Sequence, residues 1–264
     1  VDADHMDIAA STQALTEQLI KNVMQKARDL GSSKNLVYGG GVALNCLANR
    51  LLGLYFDDIW IMPNPGDAGN SLGAAALGYG KRLEWDNAFL GYNILGEYPV
   101  TDVIKELHEN KIAGVASGRA EFGPRALGNR SLLADPRGPE IKDKVNEIKR
   151  RQKFRPFAPI ILEEHVHKYF DMPHNWKDSR YMQVIATCKM PEDFPAITHY
   201  DGTSRVQTVP NDGSGIRKLL EQWYRETGCP MLLNTSLNIR GEPMVNCISD
   251  AERFEKLYGI RVFS

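Results

Sequence analysis

NLVYGGGVALNCLANRLL, residues 35–52, decides the fold of the first part of this 264-residue chain. Four residues of strand-forming character run into three glycines, after which a helical sequence resumes. The reading is a short buried strand, a glycine turn, and a helix that begins at the turn. DIWIMP (58–63) reads as a second strand, and NPGDAGNSLGAAALGYG (64–80) as a turn and a helix of small residues, the kind that lies close against a sheet. Strand, turn, helix, strand, turn, helix is the grammar of an α/β nucleotide-type domain. Upstream, residues 7–31 repeat apolar side chains at Ile8, Leu15, Leu19, Val23 and Leu30, which predicts a long amphipathic packing helix ended by Gly31.

Periodicity fades over residues 85–100, where a linker is expected, dividing the chain into units 1–90 and 91–264. Beyond it, TDVIKELHEN (101–110) reads as a helix capped by Thr101, and KIAGVASG (111–118) as a strand. Further strands are expected in YMQVIATCKM, SRVQTV and MLLN, with helices in IRKLLEQWYRETG and ISDAERFEKLYG. Strands adjacent to one another as well as alternating with helices argue for an α+β sheet in this second unit.

The formal charge of −1 gives no global attraction to nucleic acid or anionic membrane, so any basic site must be local. Four cysteines, Cys46, Cys188, Cys229 and Cys247, form no C-x-x-C pair and suit free thiols in a reducing cytoplasm. No signal peptide is visible and no apolar run approaches the roughly 20 residues that span a bilayer. A cytoplasmic protein is expected.

Against that neutral background, residues 119–155 hold eleven Lys or Arg and five Asp or Glu. GRAEFGPRALGNRSLLADPR (118–137) sets Arg119, Arg125, Arg130 and Arg137 among glycines and prolines, either as a solvated loop or as an anion pocket in which guanidinium forks and bare backbone meet one ligand. In IKRRQKFRPFAP (148–159), an extended backbone would point Lys149, Arg151, Lys153 and Arg155 one way, whereas a helix persisting to Lys153 would still align Lys149 with Lys153. THYDGTSRVQTV (198–209) offers His199, Asp201 and Arg205. MLLNTSLNIRGEP (231–243) offers Asn234, Ser236, Asn238 and Arg240, suited to neutral hydrogen bonds that orient a ligand held by cations, or else to turns that satisfy only themselves. Four polar stretches, each beside a strand end, point to one small-ligand site. The turn at Gly39, Gly40 and Gly41 is open to a nucleotide phosphate or to no ligand at all. Asp67 suits a helix cap or a metal ligand, and His165, His167 and His174 read as surface residues.

These stretches, in this order, resemble the C-terminal region of the nodulation and antibiotic O-carbamoyltransferase family. The resemblance implies that the first unit is the second half of an actin-like, sugar-kinase-type ATPase domain and that the second is a YrdC-like twisted-sheet domain. It implies ATP and carbamoyl phosphate as ligands, a carbamoyl-adenylate intermediate, and a small-molecule alcohol as acceptor. The YrdC signature K-x-R with S-x-N matches Lys149-x-Arg151 and Ser236-x-Asn238, and Lys153-x-Arg155 fits its first half equally well. On this reading Arg125, Lys149, Arg151, Arg155 and Arg205 meet phosphate and carbamate oxygens, with Ser236 and Asn238 orienting the reacting groups. Gly39, Gly40, Gly41, Asn45 and His199 contact the nucleotide. Asp67 is one ligand of a divalent metal, iron being a candidate. The family's histidine pair, H-x-x-x-H, has no match here, so the expectation is a piece of a longer enzyme or a short protein that needs another chain. Competing readings are an RNA-binding YrdC-like module and threonylcarbamoyl-adenylate synthesis for transfer RNA. Basic residues interleaved with glycine, serine and asparagine rather than exposed aromatics favour the enzyme.

Overall fold

Runs such as IAGVA, RSLLA, APIIL and MLLN, buried along their whole length, can be satisfied only as central strands with apolar layers on both faces. The computed structural model, which describes residues 3–264, builds them that way. In chain order the elements are α1 (Ala3–Leu30), β1 (Asn35–Tyr38), α2 (Cys46–Asn49), β2 (Asp58–Ile61), α3 (Asn70–Tyr79), β3 (Asn93–Ile94), α4 (Val100–Asn110), β4 (Ile112–Ala116), β5 (Gly118–Arg119), β6 (Arg130–Ala134) and α5 (Pro139–Ile148). They continue with β7 (Ala158–Leu162), α6 (Val166–Tyr169), β8 (Phe170–Asp171), β9 (Ile185–Cys188), β10 (Thr203–Arg205), β11 (Gln207–Val209), α7 (Gly215–Thr227), β12 (Met231–Ser236), α8 (Ile248–Tyr258) and β13 (Val262–Phe263).

A mixed six-stranded sheet, ordered β11-β7-β12-β6-β4-β13, forms the centre. Antiparallel pairing joins β12 to β6 and β7, while β11 and β13 add in parallel at the two edges. Alternate residues serve opposite faces. Val115, Leu133, Ile160 and Leu232 meet α4 and α7, where Trp223 is fully buried. Ile112, Leu132, Ile161 and Leu233 meet a second core containing Val145 of α5 and Phe254 of α8. The second unit is therefore a mixed α/β layer structure, as its element order implied. No helix among the described residues is long and apolar enough to cross a membrane, and all four cysteines are free, Cys188 and Cys229 buried.

Several expectations change. SRVQTV divides at Val206 into β10 and β11, which belong to different sheets. Pro99 rather than Thr101 occupies the cap of α4, and no side chain caps it. Segment 41–54 is a 3-10 turn, the four-residue α2 and another 3-10 turn, so no long helix dipole faces the glycine turn. The expected linker packs down on the second unit: Ala88 is buried, and Gly91 N–H and Phe122 N–H donate to Ala120 O and Ala88 O. The first unit in turn shares its core with residues 172–184. Trp176 and Val184 close over Ile20, Met24, Leu52 and Ile61, and Asn49 Nδ2 donates to Gln183 O at 2.8 Å. The backbone of His174 lies hard against Gly53, where a Cβ would meet it, although its side chain is exposed as expected.

β1 and β2 pair in parallel as a two-stranded sheet. Its inner face, Leu36, Tyr38, Ile59 and Ile61, receives α1 through Ile20 and Met24. The stripe chosen from periodicity, Ile8, Leu15, Leu19, Val23 and Leu30, faces outward instead, with Leu15 60% exposed. The sheet's outer face carries Val37, 76% exposed, so β1 is not the buried strand expected. α3 has no buried residue and lies against no sheet. Helical periodicity finds an apolar stripe but cannot say which neighbour covers it.

This register is testable. Met24→Ala should destabilise the chain by about 2–5 kcal/mol, whereas Leu15→Ala should change it by less than about 0.5 kcal/mol. Urea unfolding of the two variants measures the contrast, and equal losses would contradict the register.

Candidate functional site

Residues that sequence spacing could not bring together are joined by strand ends and the loops between them. β10 ends at Arg205. The loop between β5 and β6 carries Arg125, and α5 stops at Ile148 so that Lys149 sits at its C-terminal cap. β12 ends at Ser236, two residues before Asn238.

The segment after α5 is neither the extended run nor the continued helix considered above. Arg150 adopts φ +48°, and Arg150 and Arg151 N–H groups bond back to Glu147 O and Asn146 O, forming a tight turn. This turn separates the two possible halves of the signature. Lys153 swings out to Glu147 and Asp143, at 2.9 and 3.5 Å. Lys149 turns inward: its Nζ donates to Ser236 O at 2.7 Å, and also to Asn238 Oδ1. Ser236 Oγ donates to the same Asn238 Oδ1 at 2.7 Å, while Asn238 Nδ2 donates to Ile239 O and Glu242 O. Lys149, Ser236 and Asn238 thus form one interlocked group, and Lys153 lies outside it.

Around this group the cations repel one another. Burial depresses the Lys149 ammonium to about 8, and the Arg151 charge adds to the effect. Arg151 falls to about 10 through burial and the neighbouring charge of Arg155. Arg205 is lowered by burial, then by Arg125 and Arg151. Arg125 is lowered by burial. Among the described residues, none of these four groups forms an ion pair with an Asp or Glu. Arg151 spends its Nε on Asn146 Oδ1 at 2.6 Å and its face on the Phe157 ring, 4.1 Å from the centroid. Arg125 and Arg205 have no hydrogen-bond or ion-pair partner among the described residues, and Arg205 Nε is buried without an acceptor. Arg155 is exposed at the rim. Half-buried positive charge left without a counter-charge is costly, and an anionic ligand would remove that cost.

His199 lies within the field of Arg205; burial first, and then Arg205 and Lys142, hold its imidazole below the usual range against the pull of Asp201. One ring nitrogen is engaged by Thr203 Oγ1 at 2.9 Å.

Of the four arginines in 118–137, only Arg125 joins the cluster. Arg119 is exposed. Arg137 forms a two-point ion pair with Asp135, at 2.8 and 2.9 Å. Arg130 is fully buried and donates to the carbonyls of Ser117, Gly118, Tyr92, Asn129 and Asn246. It is a structural tie. Sequence reading missed Glu121, whose Oε1 accepts from the N–H groups of Leu127, Asn129 and Arg130 and so shapes the loop that presents Arg125. A lone carboxylate inside an arginine-rich stretch was the available signal.

In the first unit, Gly39 and Gly40 line a cavity of about 340 Å³ with Asn64, Gly66, Gly69 and Gly73. Gly40, at φ +98°, has a backbone that L side chains rarely adopt. Gly41 starts the following 3-10 turn. Asn45 is occupied as the cap of α2, accepting from Ala48 N–H and bonding Gln13. The two units meet near the cations: Arg125 borders a crevice with Leu44, Pro63 and Pro65, and the Cys46 sulfur lies in the field of Arg125 and Arg205. Asp67 is exposed, and no group of three His, Cys, Asp or Glu among the described residues is placed to hold a metal ion. These residues do not by themselves fit the divalent metal that the resemblance implied.

Fold and site together define a mixed α/β protein with a cluster of cations assembled from four separate stretches of chain. The chain belongs to the carbamoyltransferase family: residues 104–263 match the family model described as "Carbamoyltransferase C-terminus", and residues 1–76 the one described as "Carbamoyltransferase N-terminus". It is 35% identical to nodulation protein NolNO of Sinorhizobium fredii (strain NBRC 101917 / NGR234), over 94% of this chain and 41% of that protein. With a 3'-hydroxymethylcephem-O-carbamoyltransferase of Amycolatopsis lactamdurans it shares 32% identity over 98% of this chain and 53% of that protein. The chain therefore spans about half the length of the curated relatives it matches. A crystal structure of full-length HypF in the phosphate- and nucleotide-bound form overlaps 64% of this chain and 21% of its own, at 20% identity and a TM-score of 0.45, too distant to bear on fold or ligand.

The depressed Lys149 makes anion binding pH-dependent in a defined direction. A bound phosphate favours the ammonium form, so its pKa rises on binding. Protons should then be taken up between about pH 8 and the ordinary lysine range, and affinity should fall as pH rises through about 8. Calorimetry of carbamoyl phosphate binding in buffers of different ionisation enthalpy measures the uptake, and Lys149→Met should abolish it.

Proposed function

We propose that this chain supplies the carbamoyl-activating part of an ATP-dependent O-carbamoyltransferase. The observation that carries this reading is the cluster of Arg125, Arg151, Arg205 and Lys149, with Arg155 at its rim, lacking any carboxylate partner in a member of the carbamoyltransferase family. The finer identity proposed for the two units is the second half of an actin-like ATPase domain followed by a YrdC-like domain.

In the proposed reaction, a water molecule hydrolyses carbamoyl phosphate, breaking the bond between the carbamoyl carbon and the phosphate oxygen to give carbamate, phosphate and a proton, and a carbamate oxygen then attacks the α-phosphorus of ATP. The new P–O bond forms as the bond to the β-phosphate oxygen breaks, releasing pyrophosphate and leaving carbamoyl-adenylate. An acceptor hydroxyl then attacks the carbamoyl carbon, loses its proton and displaces AMP. The first exchange brings two anions together, and fixed guanidinium groups offset their repulsion while aligning them. Arg125 and Arg205, having no internal partners, are assigned to phosphate and carbamate oxygens, with Arg155 at the entrance. Lys149 holds Ser236 and Asn238 in the arrangement that orients the carbamoyl group and the nucleotide, with Arg151 packed beside it. His199, whose imidazole burial holds below the usual range, is assigned to the nucleotide. Gly39, Gly40 and Gly41 are assigned to the adenylate delivered to the first unit. A metal belongs to this proposal only through ligands additional to Asp67. The recessed position of Arg205 suits a small phosphorylated ligand better than RNA or a transfer-RNA substrate, whose phosphates need exposed cations.

Carbamoyl-phosphate-dependent exchange of labelled pyrophosphate into ATP tests the activation step. The chain should catalyse it, and Arg205→Ala should lower the rate by about 10²–10³-fold. Absence of exchange, with no calorimetric heat from either ligand at millimolar concentration, would overturn the assignment.

A further inference from the structure

We propose that Gln207 and Asn234 are positioning residues that set where the Arg125 guanidinium stands in the cationic cluster. The proposal rests on the carbamoyl phosphate reading of that cluster. Both side chains are buried, 3% and 1% exposed. Asn234 Nδ2 donates to Ala126 O at 2.9 Å and to Gln207 Oε1 at 2.8 Å, and Gln207 Nε2 donates to Leu127 O at 2.9 Å. Two amides, from β11 and β12, therefore grip two consecutive carbonyls immediately after Arg125. Gln207 follows Arg205 by two residues, and Asn234 precedes Ser236 by two. The bridge thus ties the Arg125 loop to β11, which begins two residues after Arg205, and to β12, which ends at Ser236.

The loop is pinned on either side of Arg125: Gly123 and Gly128, at φ +141° and +126°, lie so close to Pro63 O and the Ile216 side chain that a Cβ would meet them. Between those two points the arginine needs a hold of its own. Arg125 has no partner of its own, and the charge of Arg205 pushes it away. Glu121 holds the loop by its N–H groups, but at residues 127, 129 and 130, beyond the arginine. Only the amides act on the carbonyls of 126 and 127. Their contribution is not simply stability: buried amides are costly unless fully paired, and Asn234 Oδ1 has no donor. An apolar pair would fill the same space without that cost, but would leave the loop unlocated.

A double-variant cycle tests this in the full chain, with carbamoyl phosphate as the titrant and melting temperature recorded alongside. Asn234→Ala should weaken binding by about tenfold. In an Arg125→Ala background the same substitution should change affinity by less than about twofold, because the residue it positions is gone. An equal loss in both backgrounds would mean that Asn234 acts on the fold at large, which overturns this proposal and leaves the functional reading standing. Failure of the unaltered chain to bind carbamoyl phosphate would remove both. If Asn234→Ala does not fold, Gln207→Leu, which frees the Leu127 carbonyl and one Asn234 N–H but leaves the Asn234 bond to Ala126 O, gives the same cycle with the same two outcomes.

Discussion

Like charges do not gather without being held, and the site of this protein depends on that constraint. Arg125, Arg151, Arg205 and Lys149 depress one another or are depressed by burial, and no Asp or Glu relieves them. A flexible chain would move them apart. They stay because each hangs from something that cannot yield: Arg205 from the end of β10, Lys149 from the cap of α5 and its bonds to Ser236 and Asn238, and Arg151 from Asn146 and the Phe157 ring. The free energy that fixes them comes from the apolar layers on both faces of the central sheet. The electrostatic strain is thereby held in the fold.

The same physics explains why neighbouring arginines have different fates. Arg130 and Arg125 lie five residues apart in one loop. Arg130 finds five backbone carbonyls and becomes a tie between the loop, the 92 region and the 246 region. Arg125 finds no acceptor among the described residues. Glu121, buried in the same loop, spends one oxygen on backbone N–H groups; burial raises its carboxyl while those bonds pull the other way. A single short stretch thus contains a scaffold and the group the scaffold presents.

The first unit follows a different logic. Its parallel pair β1 and β2 is covered on one face by α1 and open on the other, while α3 stands clear of any core. Its own core, Ile20, Met24, Leu52 and Ile61, is completed by the second unit through Trp176, Val184 and the bonds of Asn49 and Asn175. That shared core also brings the 40–46 turn to the cations.

Local sequence determined a good deal. The buried runs of β4, β7 and β12, the helices α4, α5, α7 and α8, and the mixed layer architecture follow from periodicity and glycine punctuation, which are properties of neighbouring residues, whereas β6, inside the stretch read as an arginine loop, was not foreseen. The candidate residues Arg125, Lys149, Arg205, Ser236 and Asn238 were legible as polar groups at strand ends, and the family as an order of motifs. Tertiary structure alone decided that Lys149 and not Lys153 meets Ser236 and Asn238, because a turn at Arg150 with positive φ sends consecutive odd-numbered residues in different directions. It alone decided which stripe of α1 is covered, and that Asn45 is consumed by capping. Pattern reports what a side chain can do; which partner it meets depends on where distant strands place it, and that distance is absent from any local window.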